Sequence, residues 1–206
     1  EKSRFDESGQ IYTLSREEAI KEIISQVPDD TLFVASTGRI TRELYAIREL
    51  LGQSHEYDFL NVGAMGHAVS IAAGMAAAQP NKTVTCLDGD AAAMMHMGSM
   101  PITANLDLPN LLHIVLNNGA HESVGGQQSV AFSANLHGIA SNSGYDTLEG
   151  FVSNPDELIK GLKILQQASK PAFLEIRIKK GMRADMPVLK ADTIELKELF
   201  ISSVTK

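Results

Sequence analysis

The sequence predicts an α/β fold: a doubly wound, mainly parallel sheet with helices on both faces. Three observations carry this. Apolar runs of strand length recur at 31–35, 57–62, 82–87, 111–116 and 172–178. They are continuous rather than strictly alternating, which suits strands buried on both faces of a parallel sheet. Stretches of helical character separate them.

Taken in order, residues 1–14 are polar with scattered apolar positions and read as a tail or linker remnant. Ser15 followed by Glu18 is a capping box, and Ala19, Ile20, Ile23, Ile24 and Val27 form one apolar stripe. A helix over 16–27 follows, stopped by Pro28. After the 31–35 strand, the spacing predicts a helix over 40–51, a strand at 57–62 and an Ala- and Gly-rich helix over 63–78. The small residues there allow close backbone approach to a sheet or to a partner subunit. The 82–87 strand leads into a helix opening at Asp90, whose Met94, Met95 and Met97 read as core filler. Beyond the 111–116 strand, a helix is expected over 129–142, a short edge strand at 145–152 and an amphipathic helix over 156–168 between Pro155 and Pro171. A basic loop, KKGMRADMPVLK, follows the last strand and precedes a helix over 193–203. Lys179, Lys180 and Arg183 could meet an anion there, or simply face water.

A chain of 206 residues suffices for one domain with a sound core. Its 18 basic and 25 acidic side chains give a net charge of −7, which argues against general nucleic-acid binding. Cys86 is the single cysteine, so no internal disulfide forms, and its place in an apolar run suits a small core residue. No apolar stretch reaches the ~20 residues of a membrane span, and no signal-peptide profile opens the chain. The expected protein is therefore cytoplasmic, with no membrane partner. Glu1 in place of an initiator Met hints at a trimmed or processed start.

The chemistry concentrates at strand ends. Asp90 and Asn117-Asn118 follow two apolar runs and offer hard oxygen ligands suited to Mg²⁺ or Ca²⁺. Gly89 and the small residues from Ala91 leave backbone N–H groups uncovered, as a phosphate at a helix start requires. The plainer alternative makes Asp90 a helix cap and Asn117-Asn118-Gly119 a turn. Ser36-Thr37-Gly38 ends the first run and is either a phosphate contact or the N-cap of the next helix. The Gly63 to Gly66 spacing lacks a dinucleotide fingerprint, and no Walker A lysine motif occurs, which demotes a nicotinamide or ATP reading.

Gly89-Asp90-Ala91, 25 further residues, then Asn117-Asn118 resembles the G-D-G…N-N signature of thiamine diphosphate enzymes. MHMGS at 95–99 and NNGAHESVGGQ at 117–127 resemble phosphonopyruvate decarboxylases in particular. The resemblance runs from about Ser15 onward and covers only the C-terminal, diphosphate-binding half of such enzymes, which makes 15–206 the expected diphosphate-binding domain. It implies a thiamine diphosphate-binding fold, thiamine diphosphate and Mg²⁺ as cofactors, and decarboxylation of a small 2-oxo acid. That acid would be 3-phosphonopyruvate, giving phosphonoacetaldehyde and CO₂, or sulfopyruvate.

By the same resemblance, Asp90, Asn118 and the Ala120 carbonyl bind the metal. Ser36, Thr37, Gly38, Gly89, Ala91 and Ala92 meet the diphosphate, while Gly63 and Met65 face the aminopyrimidine. His121 and His67 are candidate proton-transfer groups, each also plausible as structural. Arg42 could hold an anionic tail or pair with a nearby Glu. Ala91 departs from the family's glycine; a positive φ there would strain it by on the order of 1 kcal/mol. A pyrimidine-binding domain or subunit, which in the family supplies an essential glutamate, is the expected partner, within a homo-oligomer. Alone, the chain is expected to bind cofactor weakly and turn over little. A non-catalytic module with only the fold of such enzymes is the competing reading.

Overall fold

The computed structural model describes residues 12–186 and 191–205. Its first half runs α1 (Arg16–Gln26), β1 (Leu32–Ala35), α2 (Arg39–Leu51), β2 (Asp58–Leu60), α3 (Ala68–Ala78), β3 (Val84–Gly89), α4 (Asp90–Met95) and α5 (Ser99–Ala104). The second half runs β4 (Leu111–Asn117), β5 (Ala120–His121), a 3-10 turn at Glu122–Val124, β6 (Gln127–Gln128), α6 (Leu136–Ser143), β7 (Asp146–Thr147), α7 (Pro155–Leu165), β8 (Ala172–Arg177) and α8 (Thr193–Val204). Six strands form one sheet in the order β2-β1-β3-β4-β8-β7, with every neighbouring pair parallel. β5 and β6 make a separate antiparallel hairpin.

Alternation along the strands builds the layers. Leu87, Ile114, Leu116 and Leu174 point to one face, where they pack with Ile20 and Ile23 of α1, Leu44 of α2 and Leu158 of α7. On the other face Val84, Cys86 and Leu111 meet α3 and Phe200 of α8, while Val115 and Phe173 meet Met100, Leu136 and Tyr145. Every residue of β1, β4 and β8 is buried, as continuous apolar runs demand. Each such Leu or Ile contributes about 1.5–3 kcal/mol relative to exposure. The doubly wound fold is therefore as read from the sequence.

Several boundaries differ from expectation, each for a local reason. The helix expected from residue 63 starts at Ala68, because Ala64 (φ 51°) and Gly66 (φ 88°) turn the backbone left-handed. The helix after Asp90 breaks at 96–98 into α4 and α5. The helix expected from 129 starts at Leu136, where the Asn135 side chain accepts the Gly138 N–H at 3.0 Å. The expected 145–152 strand reduces to β7 and a single parallel bridge from Val152 to Ile176, with Gly150 at φ 88° between them. Part of the expected tail is packed: Tyr12 and Leu14 are buried, and Lys179 N–H donates to the Leu14 carbonyl at 2.9 Å. The rest of that tail, residues 1–11, and residues 187–190 of the basic loop lie outside the described residues. Among the described residues no helix is long and apolar enough to cross a membrane.

Candidate functional site

Between β1 and β3 the strand order reverses. β2 lies on one side of β1 and β3 on the other, and α2 and α3 cover opposite faces of the sheet. Loops leaving the carboxyl ends of such a pair diverge and open a crevice. Ser36-Thr37-Gly38 leaves β1 there, Gly89-Asp90 leaves β3, and Asn117-Asn118 ends the neighbouring β4.

A cavity of about 280 Å³ occupies this edge. Its walls include Ser36, Thr37, Gly38, Met65, Gly89, Asp90, Ala91, Ala92, Asn118, Ala120 and His121. The structure thus brings together every cofactor, metal and proton-transfer residue expected from the sequence except two. Gly63 and His67 are exposed and do not line the cavity. Met65, between left-handed Ala64 and Gly66, borders the cavity while remaining 37% exposed; His67 instead lies against the His96 ring, centroids 4.1 Å apart, with Nδ1 3.3 Å from the Ala64 carbonyl. Arg42 is exposed on the wall of a second cleft of about 700 Å³.

Asp90 opens α4 and is buried. Burial raises its carboxyl above the ordinary value, opposed by the Ser129 hydroxyl, the Ala91 N–H and the charge of His121. Ser129 Oγ donates to Asp90 Oδ2 at 2.5 Å. Ala91 is helical and absent from the positive-φ residues, so its methyl group introduces no backbone strain. One donor expected to be open is engaged: the Gly89 N–H donates to its neighbour Asp88 Oδ1 at 2.9 Å.

The second loop tip is two overlapping side-chain turns. Asn117 Oδ1 accepts the Gly119 N–H at 3.0 Å, and Asn118 Oδ1 accepts the Ala120 N–H at 3.1 Å. Such local bonds hold an Asn-Asn-Gly turn in place of strand pairing. Gly119 adopts φ 65°, and a Cβ there would lie 2.5 Å from the Phe132 ring. Beneath it, Glu175 Oε1 accepts from Asn117 Nδ2 at 2.9 Å and from Arg177 Nε at 3.0 Å.

Three further cavity residues were assigned no role from the sequence, although Glu122 lies within the 117–127 string. Arg16 on α1 holds buried Glu43 of α2 (2.9 Å) and Glu122 of the cavity loop (2.9 Å). Arg39, in the first turn of α2, donates to the Glu122 carbonyl at 3.1 Å and lines the cavity. Glu122 also accepts the Gly181 N–H, tying in the basic loop. Burial works against the Glu122 charge, but the Gly181 N–H and the two arginines outweigh it and hold its carboxyl below the ordinary range. These partners lie far apart in sequence, and Ser129 fell within an expected helix, so periodicity could not find them.

The family described as "Thiamine pyrophosphate enzyme, C-terminal TPP binding domain" matches residues 36–176, from the first loop tip to the end of β8. The chain belongs to this family. A phosphonopyruvate decarboxylase of Streptomyces viridochromogenes is 29% identical over 91% of this chain and 45% of its own. The sulfopyruvate decarboxylase subunit beta of Methanothermobacter thermautotrophicus is 32% identical over 93% of this chain and 96% of its own. The chain therefore spans about half the length of the phosphonopyruvate decarboxylases it matches and nearly the whole of that subunit. Among solved structures, a thiamine diphosphate-dependent 4-hydroxybenzoylformate decarboxylase of Rhodococcus jostii aligns over 86% of this chain and 35% of its own, with TM-score 0.67 and 20% identity; that likeness concerns the fold.

Proposed function

We propose that the cavity anchors the diphosphate of thiamine diphosphate through Mg²⁺, as the C-terminal half of a 2-oxo acid decarboxylase converting 3-phosphonopyruvate to phosphonoacetaldehyde and CO₂. The observation that carries this is the convergence of Asp90 and Asn118, on separate loop tips, upon one cavity at the switch point of the sheet. Hard oxygen donors from a carboxylate, an amide and the Ala120 carbonyl suit Mg²⁺, with positions left for phosphate oxygens. A cation beside Asp90 would favour its ionised form and offset the effect of burial. Arg39 and the N-terminus of α2 add positive character to the same wall.

Bound there, thiamine diphosphate supplies the electron sink for decarboxylation. The chain's own residues bind and orient. Met65 would pack against the cofactor ring, and Ser36, Thr37 and Gly38 would hold the diphosphate. His121, half-buried on the cavity wall, would be the group placed to hold or move a proton there. In this reading residues 15–206 form the diphosphate-binding domain and act in a cytoplasmic homo-oligomer with a pyrimidine-binding domain or subunit. That partner provides the glutamate the resemblance calls for, so the chain alone turns over little.

A second reading, sulfopyruvate as substrate with the chain as a separate subunit, is favoured by the near full-length match to the beta subunit. Melting the chain with thiamine diphosphate, with and without Mg²⁺, tests the anchor. Ligand at 100 times its Kd stabilises by about 2.7 kcal/mol, and Asp90→Asn should abolish the Mg²⁺-dependent part. A folded chain whose melting point ignores cofactor and metal together sinks the proposal. Assays of both acids with a separately expressed pyrimidine-binding half then distinguish the substrates.

A further inference from the structure

Below the cavity, on the α3 and α6 side of the sheet, lies a polar cluster that the cofactor reading leaves unused. Cys86 and Asp88 alternate along β3, and His113 stands opposite Cys86 on β4. All three are fully buried, at 0% exposure, in a layer that also holds Val84, Val115, Phe173 and Tyr145. One ligating atom from each lies within 4.8 Å of the other two. Asp88 Oδ2 and both ring nitrogens of His113 have no hydrogen-bond partner. Burying such groups unpartnered is strongly unfavourable, so something should satisfy them.

The separation of Asp88 Oδ2 and His113 Nε2 is informative. At 3.4 Å it lacks the geometry of a hydrogen bond. It equals the distance between two ligands on a tetrahedral zinc ion, ~3.4 Å for bonds of ~2.1 Å. A thiolate, an imidazole and a carboxylate form a borderline-soft donor set that suits Zn²⁺ and disfavours the Mg²⁺ expected at Asp90. Asp88 Oδ1 already holds the Gly89 N–H, which would orient the carboxylate from behind.

We propose that Cys86, Asp88 and His113 form a second, structural metal site for zinc or a similar transition metal, distinct in chemistry from the cofactor's cation. Because the site is sealed, the metal enters during folding, and its binding free energy becomes folding free energy. The proposal does not depend on the cofactor reading.

The test is to unfold the full chain in guanidinium with chelator and refold it with Co²⁺ or Zn²⁺. One Co²⁺ per chain is expected, with a thiolate-to-cobalt charge-transfer band. The band should vanish in Cys86→Ser and persist in Asp90→Asn, which removes the other candidate ligand. X-ray absorption of the zinc form should show one sulfur at ~2.3 Å, a readout that survives if Cys86→Ser fails to fold. A chain that refolds without retaining metal, or that retains it with oxygen and nitrogen ligands only, overturns the proposal.

Discussion

Gly119 shows how much a single backbone angle can govern. Its φ of 65° sets the Asn-Asn turn, and Phe132, which a Cβ would strike, is itself confined by Arg177 (5.2 Å from its ring centroid) and Tyr12 (5.5 Å between centroids). Gly119→Ala should cost about 1–3 kcal/mol in urea melts and remove the Mg²⁺-dependent response to thiamine diphosphate. Ala91 is the opposite case. Because it is helical, replacing it with the family's glycine should lower stability by about 0.5–1 kcal/mol and leave cofactor affinity unchanged in the same titration. The cavity's rim was legible because short motifs set small and polar residues at the ends of strands. His67 was not placed by its neighbourhood in the sequence, since the left-handed turn at Ala64 and Gly66 leaves Met65 on the cavity's border and His67 outside it.

Among elements, α1 follows most directly from sequence. Ser15 donates its N–H to Glu18 Oε2 at 2.8 Å and its Oγ accepts the Glu18 N–H at 3.2 Å. Ser15→Ala should lose about 1 kcal/mol. The Ser15 hydroxyl and N–H hold the Glu18 carboxyl below its ordinary 4.5. That part of the contribution is present above 4.5 and disappears as pH falls through the lowered value, so the gap between wild type and variant should narrow in thermal melts on acidification, while the cap bond from the Glu18 N–H keeps it open. The core strands were legible as continuous apolar runs, and the long helices by periodicity with local punctuation. β5 and β6 were not: each has two residues, and neighbours in space decide their pairing; β7 lies within the expected edge strand but keeps only two of its residues.

Over the whole molecule, the reversal of strand order places the cavity, and a buried ion network closes one side of it. Arg16 is 27 residues from Glu43 and 106 from Glu122, separations no periodicity reports. Arg16→Met should leave Glu43 buried without its countercharge and cost about 3–5 kcal/mol at neutral pH. Burial already raises the Glu43 carboxyl above the ordinary range, with Arg16 opposing. Losing Arg16 pushes it higher, so the deficit should shrink on acidification as the carboxyl protonates, and Glu43→Leu added to Arg16→Met should recover much of it. Urea melts at neutral and mildly acid pH check both.

Tyr12 leans on the Phe132 that crowds Gly119, and Arg177 Nη1 donates to its hydroxyl at 3.1 Å. Tyr12 thereby acts as a wedge beneath the amide turn. Shortened versions beginning at Ser15 should fold yet grip pyrophosphate more loosely, and affinity tags are better attached at the opposite end.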